Sequence, residues 1–339
     1  MKKIAQISVF AKYAWFVLTY NILVILWGVF LRASNSGDGC GQHWLTCHGE
    51  VIPVAPEFKT TIEFVHRVMS ALDGVLMLIL LGLAIRRWYL SRTEPDRSVL
   101  RTAAVSFLFV LTEGAIGAGL VLTGNTAQTL TAARPFWMAG HLINTFVLLT
   151  FLTLTARRAS GGGRLNFEIE RKPIVALFVG IVAILFVGMT GSIAALSHML
   201  FPAETLSEGL ASDFSATSHA LLRLRLLHPV SAILTSVFLI FLTGWITKET
   251  GALKYTVRWS NILSLLILAQ LALGAATLLS LAPIVMQLGH LLLADAIWLA
   301  YVIFAANVLS EFPEESLDCD SSSSANLASI NSSEASEGT

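Results

Sequence analysis

Four of the eight histidines lie inside long apolar segments, where a polar side chain is costly and usually has a function. They are His66, His141, His228 and His290. Facing imidazoles on two helices can hold a haem iron from both sides, and the large apolar porphyrin suits the interior of a helical bundle. We expect His66 to pair with His141, and His228 with His290. Simple hydrogen bonding between helices is the alternative, and four matching positions weigh against it.

A carboxylate precedes the first of these histidines by three positions. On a helix Glu63 and His66 lie on one face, one turn apart. The corresponding position before His228 is Arg225, so an acid is expected beside only one iron site. A carboxylate beside a haem can relay protons or stabilise a cation on the substrate. An interfacial ion pair between Glu63 and Arg67 is the equally weighted alternative.

Other charged residues near these positions have less specific interpretations. Haem propionates need cationic donors, and the candidates are Arg32, Arg67, Arg223 and Arg225. Anchoring at the membrane interface is the competing explanation for all four. Three further acids fall within apolar segments, namely Asp73, Glu113 and Asp295, and the sequence assigns them no role.

The stretch SGDGCGQHWLTCHGE, residues 36–50, gathers Cys40, His43, Cys47 and His48 within nine positions. A c-type haem site needs Cys-x-x-Cys-His, but here six residues separate the two cysteines. A zinc or copper site built from these four side chains is one interpretation. A disulfide is the other, and the choice depends on which side of a membrane the stretch faces.

The elements that must position these residues are membrane helices. The chain is 55% hydrophobic and 13% charged, with a mean hydropathy of +0.72, whereas soluble domains carry roughly 25% charged residues. Its net charge of zero gives no basic surplus for nucleic acid. A spanning helix needs about 20 apolar residues. Eight stretches qualify, at 13–33, 64–88, 103–123, 136–156, 173–194, 219–245, 260–280 and 284–308.

Lysine and arginine bias predicts the direction of these spans. The loops after the second, fourth and sixth spans are rich in these residues, while the loop from 195 to 218 has none. Both termini are therefore predicted to be cytoplasmic in a multi-pass protein of the cell membrane. The cysteine loop and all four histidines are then expected toward the outer face, in an oxidising compartment.

The spans also repeat. MAGHLINTFVLL (138–149) is similar to QLGHLLLADAIWL (287–299), and each set of four spans has a histidine in its second and fourth member. We therefore predict an all-α integral membrane protein of eight transmembrane helices, arranged as two pseudo-symmetric parallel four-helix bundles. The predicted regions are a cytoplasmic N-terminus (1–12), a substrate-haem half (13–156), a cytoplasmic connector (157–172), a haem b half (173–308) and a disordered tail (309–339).

These features together resemble the haem A synthase family. The resemblance covers about residues 13–308 and rests on the motif EFVHR, the later histidines and the Cys-x6-Cys-His-Gly loop. It implies oxidation of a porphyrin-ring methyl of haem O to a formyl group, giving haem A for cytochrome aa3-type oxidases. It implies that His66 and His141 hold the iron of the substrate haem, that His228 and His290 hold a haem b cofactor, and that Glu63 is catalytic. It also implies a disulfide between Cys40 and Cys47.

The partners implied are haem O synthase, a terminal oxidase or its assembly factors, an electron donor or acceptor, and the lipid bilayer, with a homo-oligomer also considered and no nucleic acid. The loop departs from the family pattern because Gly41 and Leu45 replace its two prolines. Two other functions compete with this one. A b-type membrane cytochrome would transfer electrons without modifying haem, and a repeat-built transporter would hold no haem at all.

Overall fold

Helices make up nearly all of the regular structure. The computed structural model describes residues 8–90, 97–126 and 129–310, so most of the predicted tail (309–339) and residues 1–7 lie outside the described residues. The helices are α1 (Val9–Ala33), α2 (Phe58–Leu90), α3 (Arg97–Leu122), α4 (Arg134–Ala159), α5 (Arg171–Leu200), α6 (Leu206–Phe214), α7 (Ala220–Arg225), α8 (Leu227–Glu249), α9 (Lys254–Leu279) and α10 (Ile284–Val308). Only two isolated β-bridges accompany them in these ranges. The predicted all-α class is confirmed.

Eight helical segments of 25 to 33 residues are long and apolar enough to cross a bilayer, counting α7 and α8 as one. Many of their large apolar side chains are exposed, among them Phe16, Val68, Phe178, Phe241 and Leu265. Only a hydrocarbon environment would cover surfaces of this kind on so many helices. The chain is therefore a multi-pass membrane protein, as the sequence predicts.

The helix boundaries differ from the predicted ones in ways that matter for the site. Helix α2 begins at Phe58 rather than near residue 64, so Glu63 lies within the helix. The predicted loop 195–218 contains the last turn of α5 and the short helix α6, which Thr205 caps by accepting a hydrogen bond from the Glu208 amide. The sixth span is interrupted at Leu226, between α7 and α8.

Each half of the chain assembles four long helices around its histidines. In the N-terminal half α1 and α3 each contact both α2 and α4, which closes a ring. In the C-terminal half α5 contacts α8 and α10, and α9 contacts the same two helices. The halves meet where α4 and α1 pack against α10, and where α4 packs against α5. That the halves are parallel copies related by an axis stays a prediction.

Buried aromatic side chains join the two halves. Trp298 stacks on Phe146 with ring centroids 4.7 Å apart, and its indole nitrogen donates to the Phe146 carbonyl at 2.8 Å. Within the C-terminal half, the hydroxyl of Tyr301 on α10 donates to the Leu177 carbonyl on α5 at 2.8 Å. These hydrogen bonds satisfy the only polar atoms of otherwise apolar, fully packed residues. The helices that carry the four histidines are thereby held in a fixed arrangement.

Candidate functional site

A single cavity of about 1950 Å³ runs through both halves of the molecule. All four predicted histidines line it, each within the first nine residues of α2, α4, α8 or α10. Its wall is mostly apolar, as a site for a flat hydrophobic ring system requires. The structure thus brings together His66, His141, His228 and His290 around one space rather than leaving them as separate interhelical contacts.

The histidine pair of the C-terminal half fits an iron between its rings. The ring centroids of His228 and His290 are 6.2 Å apart. An imidazole nitrogen lies about 1.1 Å from its ring centroid and bonds a metal at about 2 Å, so two rings on opposite sides of one iron have centroids about 6 Å apart. The Nδ1 atom of His290 is also buried without a hydrogen-bond partner. The spacing and this unpaired nitrogen both fit a haem ligand pair.

The pair of the N-terminal half lines the same cavity. The ring of His66 has a buried Nδ1 atom without a hydrogen-bond partner, and its charge would interact with that of His141. His141 Nδ1 lies 3.0 Å from a carboxylate oxygen of Glu113 on the neighbouring helix α3. These residues also fit the predicted role of iron ligands, a role that remains a prediction.

Glycines on neighbouring helices make room for three of these rings. A Cβ atom added at Gly28, Gly191 or Gly274 would lie 3.1, 2.9 or 3.0 Å from the Cε1 atom of His66, His228 or His290, respectively. Gly28 lies on α1 beside α2, and Gly191 lies on α5 beside α8, so the same arrangement recurs in both halves. The ring positions are therefore determined by close helix packing.

Glu63 connects the N-terminal histidine pair with the cysteine loop. Its buried carboxylate accepts a hydrogen bond from the backbone amide of Cys40 at 2.9 Å and forms an ion pair with Arg67 at 2.5 Å. Arg67 in turn donates to the carbonyls of His43 and Thr46. Both proposed roles of Glu63 are thus compatible with the structure, since it pairs with Arg67 and also lines the cavity.

The cysteine loop contains a disulfide between Cys40 and Cys47. Both sulfur atoms are buried, and His48 Nε2 contacts the Gly39 carbonyl at 2.8 Å. Because the disulfide consumes both thiols, the zinc or copper interpretation of this loop is wrong in this structure. Across the described ranges, no group of three or more His, Cys, Asp or Glu side chains is arranged to hold a metal ion.

Glu113 and Gln270 are two partners of the histidines that spacing within one helix could not reveal. The carboxylate of Glu113 accepts hydrogen bonds from Asn144 Nδ2 at 2.5 Å and from the Thr145 hydroxyl, besides its contact with His141. In the C-terminal half, Gln270 on α9 lies 3.3 Å from His290 Nε2. A charged group therefore faces a histidine in one half, and a neutral amide does so in the other.

The remaining predicted acids and arginines have separate environments. Asp73 accepts a hydrogen bond from Asn21 at 2.8 Å, and both oxygens of Asp295 are buried without a partner. Arg225 forms an ion pair with Asp213 at 2.6 Å, while Arg223 is exposed. Sequence reasoning missed Arg134, which is buried and lines the cavity. It lies just before the predicted span 136–156, and no signal in the sequence shows that it is buried.

Known proteins share this sequence pattern over most of the chain. The family COX15-CtaA, described as cytochrome oxidase assembly protein, matches residues 11–302. A protoheme IX farnesyltransferase from Thermus thermophilus is 42% identical over 299 residues, which cover 88% of this chain and 48% of that protein. Heme A synthases from Shouchella clausii and Halalkalibacterium halodurans are 29% and 26% identical, each covering 83% of this chain and 92% of the relative. The chain thus spans about half the length of its Thermus relative.

Proposed function

Because the chain belongs to the COX15-CtaA family of cytochrome oxidase assembly proteins, we propose that it is a haem A synthase that oxidises a ring methyl of haem O to a formyl group. One observation carries this proposal. Two histidine pairs line one cavity, and only the N-terminal pair has a carboxylate, Glu63, one turn before its first histidine. In the C-terminal half Arg225 takes the corresponding position and is paired with Asp213.

The C-terminal pair would hold the resident cofactor. His228 and His290 have the centroid spacing that one iron requires, and the residues nearest to them are neutral, namely Gln270, Thr190 and Ser231. When bound there, haem b would supply one-electron transfer. No carboxylate lies one turn before His228, which suits a group that exchanges electrons and is not itself altered.

The N-terminal pair would hold the substrate. His66 and His141 would bind its iron, and Glu63 would accept protons as the methyl C–H bonds break. With water as the source of the formyl oxygen, the whole conversion releases four protons and four electrons, so an external electron acceptor must take up the electrons. The Cys40 amide and Arg67 hold the Glu63 carboxylate in one orientation, so a base is already positioned before the substrate arrives.

The name of the Thermus relative points to a second activity, farnesyl transfer to protohaem. More than half of that protein lies outside the match, so the activity in its name need not belong to the shared segment. The heme A synthases, in contrast, are covered over 92% of their length. A farnesylated protohaem is the substrate that our proposal requires, so a haem O synthase would act before this protein and a terminal oxidase or its assembly factors would receive the product.

The remaining features of the proposal concern placement. We propose that 13–156 is the substrate half and 173–308 the haem b half, joined by a cytoplasmic connector. The positive-residue bias of the loops supports a topology with both termini in the cytoplasm and the disulfide loop outside. The cavity end that holds the histidines would then face the outer leaflet, where an electron acceptor could approach it.

The test is co-expression with a haem O synthase in a host that lacks haem A, followed by extraction and chromatography of the haems. Wild-type protein should yield haem A. Glu63→Gln should retain haem but form haem A at least about 100-fold more slowly, the usual effect of removing a catalytic base. The control is Glu57→Gln, an exposed carboxylate just before α2, which should behave as wild type.

A wild-type protein that is loaded with haem yet yields only haem O would refute the synthase and favour a b-type cytochrome. Colourless purified protein would favour the transporter. Unchanged haem A formation in Glu63→Gln would leave the activity standing and refute the role given to this carboxylate.

A further inference from the structure

Two arginines of the N-terminal half line the cavity close to each other. Arg32 lies in the last turn of α1, and Arg134 is the first residue of α4. Their positive charges interact, and Arg134 is only 3% exposed. Arg32 is half-buried, and two like charges that line one cavity oppose folding unless an anion lies near them.

No acid within the described ranges pairs with either guanidinium. Arg134 donates to the Thr129 carbonyl at 2.6 Å and lies 3.9 Å from the Met199 sulfur, but its Nε atom is buried without an acceptor. Arg32 has no hydrogen-bond or ion-pair partner among the described residues. The other cavity arginines differ, because Arg67 is paired with Glu63 and Arg225 with Asp213.

Helix geometry places this pair just beyond the histidine rings. Arg32 follows Gly28, whose Cα packs against the His66 ring, by four positions. Arg134 precedes His141 by seven positions, which is two turns on the same helix face. At 1.5 Å per residue these offsets are about 6 and 10 Å along the helix axes. Both offsets point to the end of the bundle where α1 ends and α4 begins.

The C-terminal half has no counterpart of this pair. His66 and His228 are 162 positions apart, and the glycines that contact them, Gly28 and Gly191, are 163 apart. With an offset of 163, the residue that corresponds to Arg32 is Ala195. With the offset of 149 between His141 and His290, the residue that corresponds to Arg134 is Pro283. Neither counterpart bears a charge, so the two cations belong to one half alone.

We propose that Arg32 and Arg134 form a binding site for the carboxylates of the porphyrin that occupies the N-terminal half. Charge-assisted hydrogen bonds from two guanidiniums would hold the propionate edge at the end of the cavity, with the ring between His66 and His141. This inference rests on the proposed function, because it takes the ligand of that half to be a haem. The two haem sites would then differ, because only the N-terminal one would bind carboxylates through this pair of arginines.

The test compares ferric protohaem with its dimethyl ester, which keeps the ring and iron but has no anionic carboxylate. Each ligand is titrated into the full-length protein and followed by absorbance, and the N-terminal site is defined as the binding that His66→Ala removes. Wild type should prefer the free acid by about 10- to 100-fold, the usual effect of charge-assisted hydrogen bonds. The double variant Arg32→Gln/Arg134→Gln should bind both ligands with the ester's affinity.

The exposed residue Arg101 supplies the matched control, since Arg101→Gln removes one charge outside the cavity and should keep the full preference. Equal affinities in wild type would overturn the proposal, and so would a preference that survives in the double variant. Co-purification of an anionic phospholipid that only the double variant loses, together with equal wild-type affinities, would assign the arginines to a lipid headgroup instead.

Folding problems in the double variant leave the wild-type comparison intact, and the single variant Arg32→Lys should retain part of the preference. The titration is independent of the assay for haem A formation. A preference for the free acid in a protein that makes no haem A would refute the proposed function and leave this site standing.

Discussion

Replacing Gly191 with alanine should displace His228 and empty the C-terminal haem site. The added Cβ would lie 2.9 Å from His228 Cε1 and 3.2 Å from Nδ1. Carbon atoms in contact are normally about 3.5–4.0 Å apart, so the ring must move by about 0.6 Å or more. Metal–ligand distances tolerate only about 0.2 Å. The iron bond to His228 should therefore be lost or severely lengthened.

The effect on folding should be much smaller than the effect on haem. Overpacking costs about 1–3 kcal/mol, while alanine is about 1 kcal/mol better than glycine within a helix. The net change in the free energy of unfolding is therefore at most about 2 kcal/mol. Haem affinity at the proposed C-terminal site should fall at least about 10-fold, because one of the two histidines proposed to hold the haem is displaced.

The assay is haem content per protein by the pyridine haemochrome method, together with the absorbance spectrum and a thermal unfolding curve in detergent. Gly244→Ala is the control, because Gly244 lies on the same helix as His228 and a Cβ there meets nothing within 4 Å. It should retain full haem content. A Gly191→Ala protein with unchanged haem and spectrum would refute the reasoning, and so would equal haem loss in Gly244→Ala.

Three further predictions concern the N-terminal half. Glu113→Gln should raise the reduction potential of the haem proposed to bind His66 and His141 by on the order of 50 mV, because the carboxylate beside His141 favours ferric iron. A potentiometric titration that shows no shift would contradict this. Asn21→Leu should destabilise the fold by about 1–3 kcal/mol because buried Asp73 loses its donor, and Asn21→Leu/Asp73→Leu should recover part of that loss in thermal unfolding; equal loss in both variants would count against it. Cys40→Ser/Cys47→Ser should slow haem A formation about tenfold, because the Cys40 amide would hold Glu63 less firmly. The haem content of the C-terminal half should stay unchanged. An unaltered rate in the haem extraction assay would disprove the link between the disulfide and Glu63.

The sequence predicted the membrane helices well because each needs only a long apolar run. All eight predicted stretches overlap observed spans. The interruption at Leu226 and the helix α6 were missed, since both depend on local capping and on the ion pair between Arg225 and Asp213. Repeated spacing was enough to single out four of the histidines that line the cavity, whereas His198, which also lines it, has no repeated position.

Residues that act across helices were harder to find. Glu113 and Gln270 are far from their histidines in sequence, and only the packing of α3 on α4 and α9 on α10 brings them close. Arg134 was missed because sequence cannot show whether an arginine at a helix end is buried. The glycines that contact the rings were likewise indistinguishable from those that pack against nothing, such as Gly244.

The continuous cavity has a consequence for how porphyrins bind to and leave the protein. If two porphyrins share one connected space, no protein wall decides which of them leaves after a reaction cycle. The resident and the transient molecule must then differ in dissociation rate, which the contacts at each position determine. The rate of product release would thus depend on a few side chains. One substitution at either porphyrin position would then be enough to turn a slowly dissociating haem into a rapidly dissociating one.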